Sequence, residues 1–148
     1  MRLRYAKRSE ATEQIRFMNW CGYNQQRYPE LKWMHHIPNG GNRDEKEAKN
    51  LKQEGVKAGV SDLHLPVARG AYGSLYIEMK YGSNKLTEKQ REFINDMLAA
   101  GNMAVVCYSA EAAMEITMKY LELKPYEQIT DSKLQCLVRF DRGIFVLT

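Results

Sequence analysis

The stretch GVSDLHLPVARGAYGSLYIEMK, residues 59–80, decides the fold. It contains two short segments of β-favouring composition, residues 61–67 and 74–80, which are joined by the turn-forming sequence ARGAYG. This arrangement predicts a β-hairpin. Charged side chains occur near the start of its first strand and at the end of its second. The same hairpin therefore carries the first candidate active-site residues.

Three charged residues of the hairpin form a candidate metal site. Side chains alternate between the faces of a strand, so Glu78 and Lys80 are expected on one face and Met79 on the other. A register that brings Asp62 beside Glu78 joins two carboxylates and one ammonium group. Divalent cations such as Mg²⁺ take oxygen ligands, and two carboxylates with a backbone carbonyl, that of Met79, make a suitable open site. Lys80 is expected to orient or deprotonate an attacking water and to offset transition-state charge in phosphate chemistry.

The segments before the hairpin predict a helix, a strand and a second helix. Ser9 is expected to cap a helix that runs to about Cys21. Residues 31–37, LKWMHHI, predict a strand that stops at the turn signal PNGG. The sequence DEKEAKNLKQEG predicts a highly charged surface helix that ends at Gly55.

The segments after the hairpin predict an α/β fold. Thr87 and Gln90 have the spacing of a capping box and open a helix that ends before Gly101. The apolar run in NMAVVCYS predicts a buried strand, and a helix follows it from Ala110 to about residue 123. A crossover helix between strands implies at least one parallel pair. The last residues, about 133–148, predict an added β-hairpin.

Length and composition indicate one intracellular domain. The 148 residues are expected to form a single domain, with a core at about 9–122 and a C-terminal hairpin extension at about 133–148. The three cysteines have no metal-ligand spacing and are expected to be free thiols. No apolar run is long enough for a membrane span and the first residues lack the apolar core of a signal peptide. The net charge of +4 permits an anionic partner.

Several sequence elements in a fixed order resemble the virus-type replication-repair nucleases, VRR-NUC, a branch of the PD-(D/E)XK superfamily. These elements are SEATEQ with Glu13, HIPNGG, GVKAGVSD, IEMK and a helix that opens with TEKQ. The resemblance covers roughly residues 9–121. It implies a restriction-endonuclease-like α/β fold, in which helices flank a central mixed β-sheet.

The resemblance also implies an active site. Its catalytic residues would be Glu13, Asp62, Glu78, Lys80 and Gln90. Asp62 and Glu78 would bind the metal directly and Glu13 through water, while Gln90 would support the site from its helix. Ser61 stands where the superfamily name has proline, and Glu10 is an alternative to Glu13.

By the same resemblance, the chain is expected to be a Mg²⁺- or Mn²⁺-dependent deoxyribonuclease that leaves a 5′-phosphate. Stand-alone members, typical of bacteriophages, look like homodimeric enzymes that resolve four-way (Holliday) junctions, so a phage-encoded chain would act in the cytoplasm of the bacterial host. The apolar hairpin at 134–147 is the expected dimer interface. Alternatives are a monomeric flap or single-strand nuclease and an inactive DNA-binding module.

Several loops and helices supply candidate DNA contacts. They are Asn39, Gly40, Gly41, Arg43, Lys57, Lys85 and Lys89. His35, His36 and Asn39 also invite comparison with HNH nucleases, although no further histidine follows on a helix at the required spacing. His64 shares a strand face with Asp62 and is expected to be structural or to support the site.

Overall fold

A six-stranded mixed sheet forms the centre of the molecule. The computed structural model describes residues 7–38 and 44–148. The strands are β1 (His35–His36), β2 (Leu63–Leu65), β3 (Leu75–Met79), β4 (Met103–Cys107), β5 (Val138–Asp141) and β6 (Ile144–Leu147), and their order in the sheet is β1-β2-β3-β4-β6-β5. The pairs β3–β4 and β4–β6 are parallel, while β1–β2, β2–β3 and β5–β6 are antiparallel. The predicted α/β class and mixed sheet are therefore confirmed.

Within the described residues, four α-helices accompany the sheet: α1 (Glu10–Tyr23), α2 (Glu45–Glu54), α3 (Glu88–Ala99) and α4 (Ala110–Leu121). Ser9 and Thr12 form the capping box that starts α1, and Thr87 and Gln90 form the one that starts α3. These caps satisfy backbone N–H groups that the first turn of a helix leaves without partners. Gly55 ends α2 in the left-handed conformation, as predicted.

The two faces of the sheet are covered by different helices. Helices α1 and α4 pack on one face in a large apolar core that includes Phe17, Ile77 and Ile116. Helix α3 covers the other face, where Ile94 packs with Val106 and other residues of β4 and β6. No helix among residues 7–38 and 44–148 is long and apolar enough to cross a membrane. Cys21, Cys107 and Cys136 are free, as predicted.

The strand predicted for residues 31–37 is wrong over most of its length. Residues Pro29–Trp33 form a 3₁₀ helix, and only His35–His36 pair with the sheet. Proline at the start of the short helix fixes its backbone angle and needs no hydrogen bond for its nitrogen, so this turn competes well with an extended chain. Leu31 and Met34 are buried by it.

The C-terminal hairpin is an integral part of the sheet. Strand β6 lies parallel to β4, with Val106 opposite Val146, and β5 forms the sheet edge beyond it. Ile144, Val146 and Leu147 are buried. The sequence predicted the hairpin itself but not its pairing with β4, because that pairing joins segments far apart in the chain.

Candidate active site

The register of the hairpin brings Asp62 beside Glu78. Leu63 pairs with Ile77 in the antiparallel β2–β3 ladder, and one further step along it places Asp62 opposite Glu78. Asp62 Oδ2 accepts a hydrogen bond from the backbone N–H of Met79 at 2.7 Å. The strand that carries Glu78 therefore also fixes the orientation of the Asp62 carboxylate.

A glycine holds the segment before Asp62 against α3. Gly59 has a positive φ of +88°, and a Cβ at this position would lie 2.5 Å from the backbone oxygen of Lys89. Only glycine combines this backbone angle with such a close approach. The contact explains why the GVSD segment needs its glycine to reach β2 at the correct position.

Glu78 and Lys80 are almost completely buried. Their exposed fractions are 2% and 6%, and Lys80 Nζ lies 3.9 Å from Glu78 Oε1. Glu78 Oε2 is buried without a hydrogen-bond partner among the described residues. A buried carboxylate oxygen without a partner is energetically costly, and a bound cation is one way to compensate it.

The electrostatics of the pair favour a bound cation. Burial and then the charge of Asp62 raise the pKa of Glu78 to about 9, although Lys80 opposes this shift. Burial also raises the pKa of Asp62, against the hydrogen bond from Met79. Two neighbouring carboxylates repel each other when both are ionised, and a divalent ion removes that repulsion.

The available donors fit Mg²⁺ or Mn²⁺ better than a soft metal. In the part of the chain that the structure describes, no three or more His, Cys, Asp or Glu side chains are arranged to hold a metal ion. The side-chain donors at this site are therefore two carboxylates, and the Met79 carbonyl and water would complete the shell. Such oxygen-rich sites with several water positions suit Mg²⁺.

Two arginines bind the carboxylate of Glu13. It is fully buried, and its carboxylate accepts hydrogen bonds from Arg8 at 2.7 Å and from Arg16 at 3.2 Å. It also accepts from the backbone N–H of Ala110, in the first turn of α4, at 3.4 Å. Burial opposes ionisation, but these hydrogen bonds outweigh it and lower the pKa of Glu13. The contacts favour a role in joining α1 to α4 over a role in metal binding.

Glu10 is the carboxylate of α1 whose charge acts on the site. Its charge raises the pKa of both Asp62 and Glu78, and Asn84 Nδ2 donates to its Oε2 at 2.8 Å. The sequence offered Glu10 and Glu13 as alternatives one helical turn apart. Only the tertiary neighbours distinguish them, because the arginines occupy Glu13.

Gln90 has a structural task at the start of α3. Its side-chain oxygen accepts a hydrogen bond from the backbone N–H of Thr87 at 3.0 Å, which completes the capping box. Its predicted support of the metal site stays a prediction.

The histidines lie close to β2 but form no metal cluster with the described acidic side chains, so the HNH alternative gains no support. The ring Nδ1 of His35 contacts the carbonyl oxygen of Trp33, and that of His36 contacts the carbonyl oxygen of Asp62. His64 stacks on Tyr76 with ring centroids 4.1 Å apart. A packing role for His64 follows from this contact.

The predicted DNA contacts fall in separate places. Lys57 and Lys89 line a cavity of about 760 Å³ between α2 and α3, together with Glu92 and Asp96. Lys85 lines a second cavity beside the C-terminal hairpin. Asn39, Gly40, Gly41 and Arg43 lie outside the described residues. Arg91, a further basic residue near the site in sequence, lines the second cavity as well. Two other arginines of this cavity, Arg139 and Arg142, were not predicted from the sequence, and the turn sequence DRG was the available signal for Arg142.

The two α1 carboxylates are expected to respond differently to neutralisation. Glu13→Gln removes the charged partner of Arg8 and one of the two charged partners of Arg16, which also pairs with Glu111, and the free energy of unfolding should fall by about 1.5–3 kcal/mol. Glu10→Gln should leave stability unchanged but lower the cleavage rate by about 10–100-fold, the usual effect of losing a group that supports metal ligands. Urea unfolding and single-turnover cleavage of both variants test this. A stable Glu13→Gln protein with little activity would instead assign the metal role to Glu13.

Comparisons with known proteins agree with this architecture. The family model of the VRR-NUC domain matches residues 7–111. A solved structure described as a "VRR_NUC domain protein" is 31% identical to this chain, with a TM-score of 0.70 over 84% of this chain and 99% of the other. No curated protein matches the chain. The nuclease-like fold expected from the sequence is therefore confirmed.

Proposed function

Since the chain belongs to the VRR-NUC family of nucleases, we propose that it hydrolyses DNA phosphodiester bonds with Mg²⁺ or Mn²⁺. The observation that carries this proposal is the buried Glu78 beside the half-buried Asp62 and the buried Lys80, since Glu78 Oε2 has no hydrogen-bond partner among the described residues. Two neighbouring carboxylates in a poorly solvated site lower the stability of the fold, and a cation-binding function explains their presence.

In the proposed mechanism, Asp62, Glu78 and the Met79 carbonyl would hold the ion. When bound, the ion supplies Lewis-acid activation of the phosphoryl group and of the attacking water. The N–H of Met79 keeps Asp62 in place through its 2.7 Å hydrogen bond. Lys80 keeps its ammonium group near the reacting phosphate, where it orients water and stabilises negative charge in the transition state. The product would carry a 5′-phosphate.

We propose a four-way junction as the substrate and a homodimer as the active form. Strand β5 is an edge of the sheet, and the apolar side chains Leu137 and Phe140 are 78% and 54% exposed there. Edge pairing or packing through this apolar surface would create a two-fold dimer. Two active sites related by symmetry match the two equivalent strands of a junction.

Cleavage of defined substrates tests both the metal-dependent hydrolysis and the dimeric junction cleavage. Labelled linear duplex, flap and four-way-junction DNA are incubated with Mg²⁺ and, separately, with EDTA. We expect paired symmetric nicks at the junction, with Mg²⁺ only, by a protein that sediments as a dimer. Leu137→Glu should give a monomer that makes unpaired nicks, whereas Tyr23→Glu, at an equally exposed site on α1, should change neither property.

Different results would support different alternatives. Cutting in EDTA contradicts the metal mechanism. Flap or single-strand cutting by a monomer favours the monomeric nuclease, and DNA binding without cutting under any of these conditions favours the inactive DNA-binding module.

A further inference from the structure

A cationic cavity lies between α3 and the C-terminal hairpin. Both strands of this hairpin, β5 and β6, lie outside residues 7–111, the segment that the family model matches. We call the cavity the hairpin groove; its volume is about 340 Å³. It is lined by four basic side chains, Lys85, Arg91, Arg139 and Arg142, and by two acidic ones, Glu88 and Asp141. We infer that the hairpin groove binds backbone phosphates of the DNA strand that is cut, a few nucleotides from the cleaved bond. This inference rests on the proposed function.

The sheet register places the hairpin groove beside the active site. Glu78 is opposite Val106, Val106 is opposite Val146, and Val146 is opposite Arg139. The two valines line the groove. Neighbouring strands lie about 4.8 Å apart, so the row runs from Glu78 for roughly 15 Å across the sheet. Phosphates on one strand of duplex DNA advance about 3.4 Å along the helix axis per nucleotide. The groove therefore lies within a few nucleotides of the active site.

The loop that contains Asn84 and Lys85 also connects the active site with the hairpin groove. Asn84 donates through its side chain to Glu10, which acts electrostatically on the metal site, and its carbonyl oxygen accepts from the hydroxyl of Tyr108. Tyr108 and the next loop residue, Lys85, both line the hairpin groove. The guanidinium carbon of Arg139 lies 5.9 Å from the ring centre of Tyr108.

Three of the four basic side chains in the groove form no salt bridge with the described residues. Arg91 donates to Asp141 Oδ2 at 2.8 Å, and this contact lowers the pKa of Asp141, so one acidic group is already paired. Lys85, Arg139 and Arg142 form no salt bridge with any residue in 7–38 or 44–148. Arg91 Nε is buried without a hydrogen-bond partner in the same set. Unpaired guanidinium and ammonium groups in a concave surface suit phosphate oxygens.

The backbone conformation of the hairpin turn supports a phosphate contact by Arg142. Arg142 and Gly143 have positive φ angles of 50° and 85°, which is typical of a two-residue type I′ turn. Asparagine is favoured at the first of these positions, whereas arginine adopts the left-handed region at a cost. Turn geometry therefore does not explain arginine here, but a phosphate contact does.

The substitution Arg142→Asn separates charge from folding, because it removes the cation and improves the turn. DNA affinity is measured in EDTA by fluorescence anisotropy, with a labelled duplex at salt concentrations from about 50 to 200 mM. Loss of one phosphate contact should reduce the slope of log K against log salt by about 0.9, which is about 8-fold in affinity near 0.1 M salt. The melting temperature should stay equal or rise.

Two further variants complete the test. Arg142→Lys keeps the charge and should retain most of the salt slope, while Lys124→Gln removes the same charge from an exposed position outside the groove and should leave the slope unchanged. Equal slopes for wild type and Arg142→Asn would overturn the inference, as would an equal loss with Lys124→Gln. If wild type cuts DNA but the slopes are equal, only the groove is refuted. If Arg142→Asn lowers the slope but wild type never cuts DNA, the groove stands and the proposed nuclease activity fails.

Discussion

Glu78→Gln is expected to abolish DNA cleavage and, in the absence of metal, to make the protein more stable. Glutamine keeps the shape of the side chain but removes both a metal ligand and the charge that Asp62 repels. Loss of the metal's contribution to the transition state, several kcal/mol, corresponds to a rate decrease of about 1,000-fold or more. Glutamine also removes a carboxyl group whose ionisation the fold opposes and the unfolded chain permits, which has the opposite effect on stability.

The size of the stability gain depends on pH. The pKa of Glu78 is about 9 in the folded protein, above its ordinary value of 4.5. The folded state therefore holds this proton more tightly, and the associated stability is complete below about pH 4.5 and is lost as pH rises towards 9. Relative to Glu78→Gln, the wild type should become progressively less stable over this interval. Each pH unit between the two pKa values lowers the free energy of unfolding of the wild type, relative to the variant, by about 1.4 kcal/mol at most.

Urea unfolding in EDTA at about pH 5 and about pH 8, together with single-turnover cleavage in Mg²⁺, measures both effects. Glu92→Gln is the matched control, since Glu92 is an exposed carboxylate on α3. Its substitution should change neither the rate nor the pH dependence. A Glu78→Gln protein that cuts DNA, or whose stability follows that of wild type at both pH values, would contradict the assignment of the site.

Lys80→Gln is expected to have the second-largest effect, a decrease in cleavage rate of about 100–1,000-fold. The ammonium group of Lys80 is 3.9 Å from Glu78 Oε1 and only 6% of the residue is exposed, so its charge acts in a poorly solvated environment. Its loss also removes the interaction that lowers the pKa of Glu78. Metal binding requires an ionised Glu78, and the variant should therefore need a higher Mg²⁺ concentration or a higher pH for half-maximal activity.

Cleavage measured against Mg²⁺ concentration at several pH values separates these two contributions. Lys124→Gln, which removes a lysine from an exposed position outside the site, should reproduce neither change. Restoration of the full wild-type rate by excess Mg²⁺ at high pH would show that Lys80 only adjusts metal binding. A residual defect at saturating Mg²⁺ is the expected result, because Lys80 also stabilises the transition state.

The local parts of this fold were predictable from the sequence. Capping residues and strand alternation act over a few positions, which is why the starts of α1 and α3 and the hairpin around Asp62 and Glu78 were identified correctly. The strand prediction for residues 31–37 was wrong because Pro29 and the burial of Leu31 outweighed the β-favouring composition of this segment.

The distant parts of the site could not be predicted in the same way. Glu10 and Glu13 are equivalent in helical periodicity, and the choice between them depends on Arg16, on Arg8 and on the first turn of α4. The parallel pairing of β6 with β4 is likewise a long-range contact without a local signal. The proposed phosphate contact of Arg142 likewise rests on features that only the structure provides, its place in the hairpin groove and its backbone angle.

The continuous row from Glu78 to Arg139 makes the sheet a molecular ruler. Paired strands cannot slide past one another without breaking their hydrogen-bond ladders, so the separation between the cleavage chemistry and the hairpin is set by the number of intervening strands. If the hairpin groove holds the cut strand as proposed, changes of sequence within the hairpin would alter how tightly DNA is held there, while the spacing between the groove and the cleaved bond, counted in nucleotides, would stay constant.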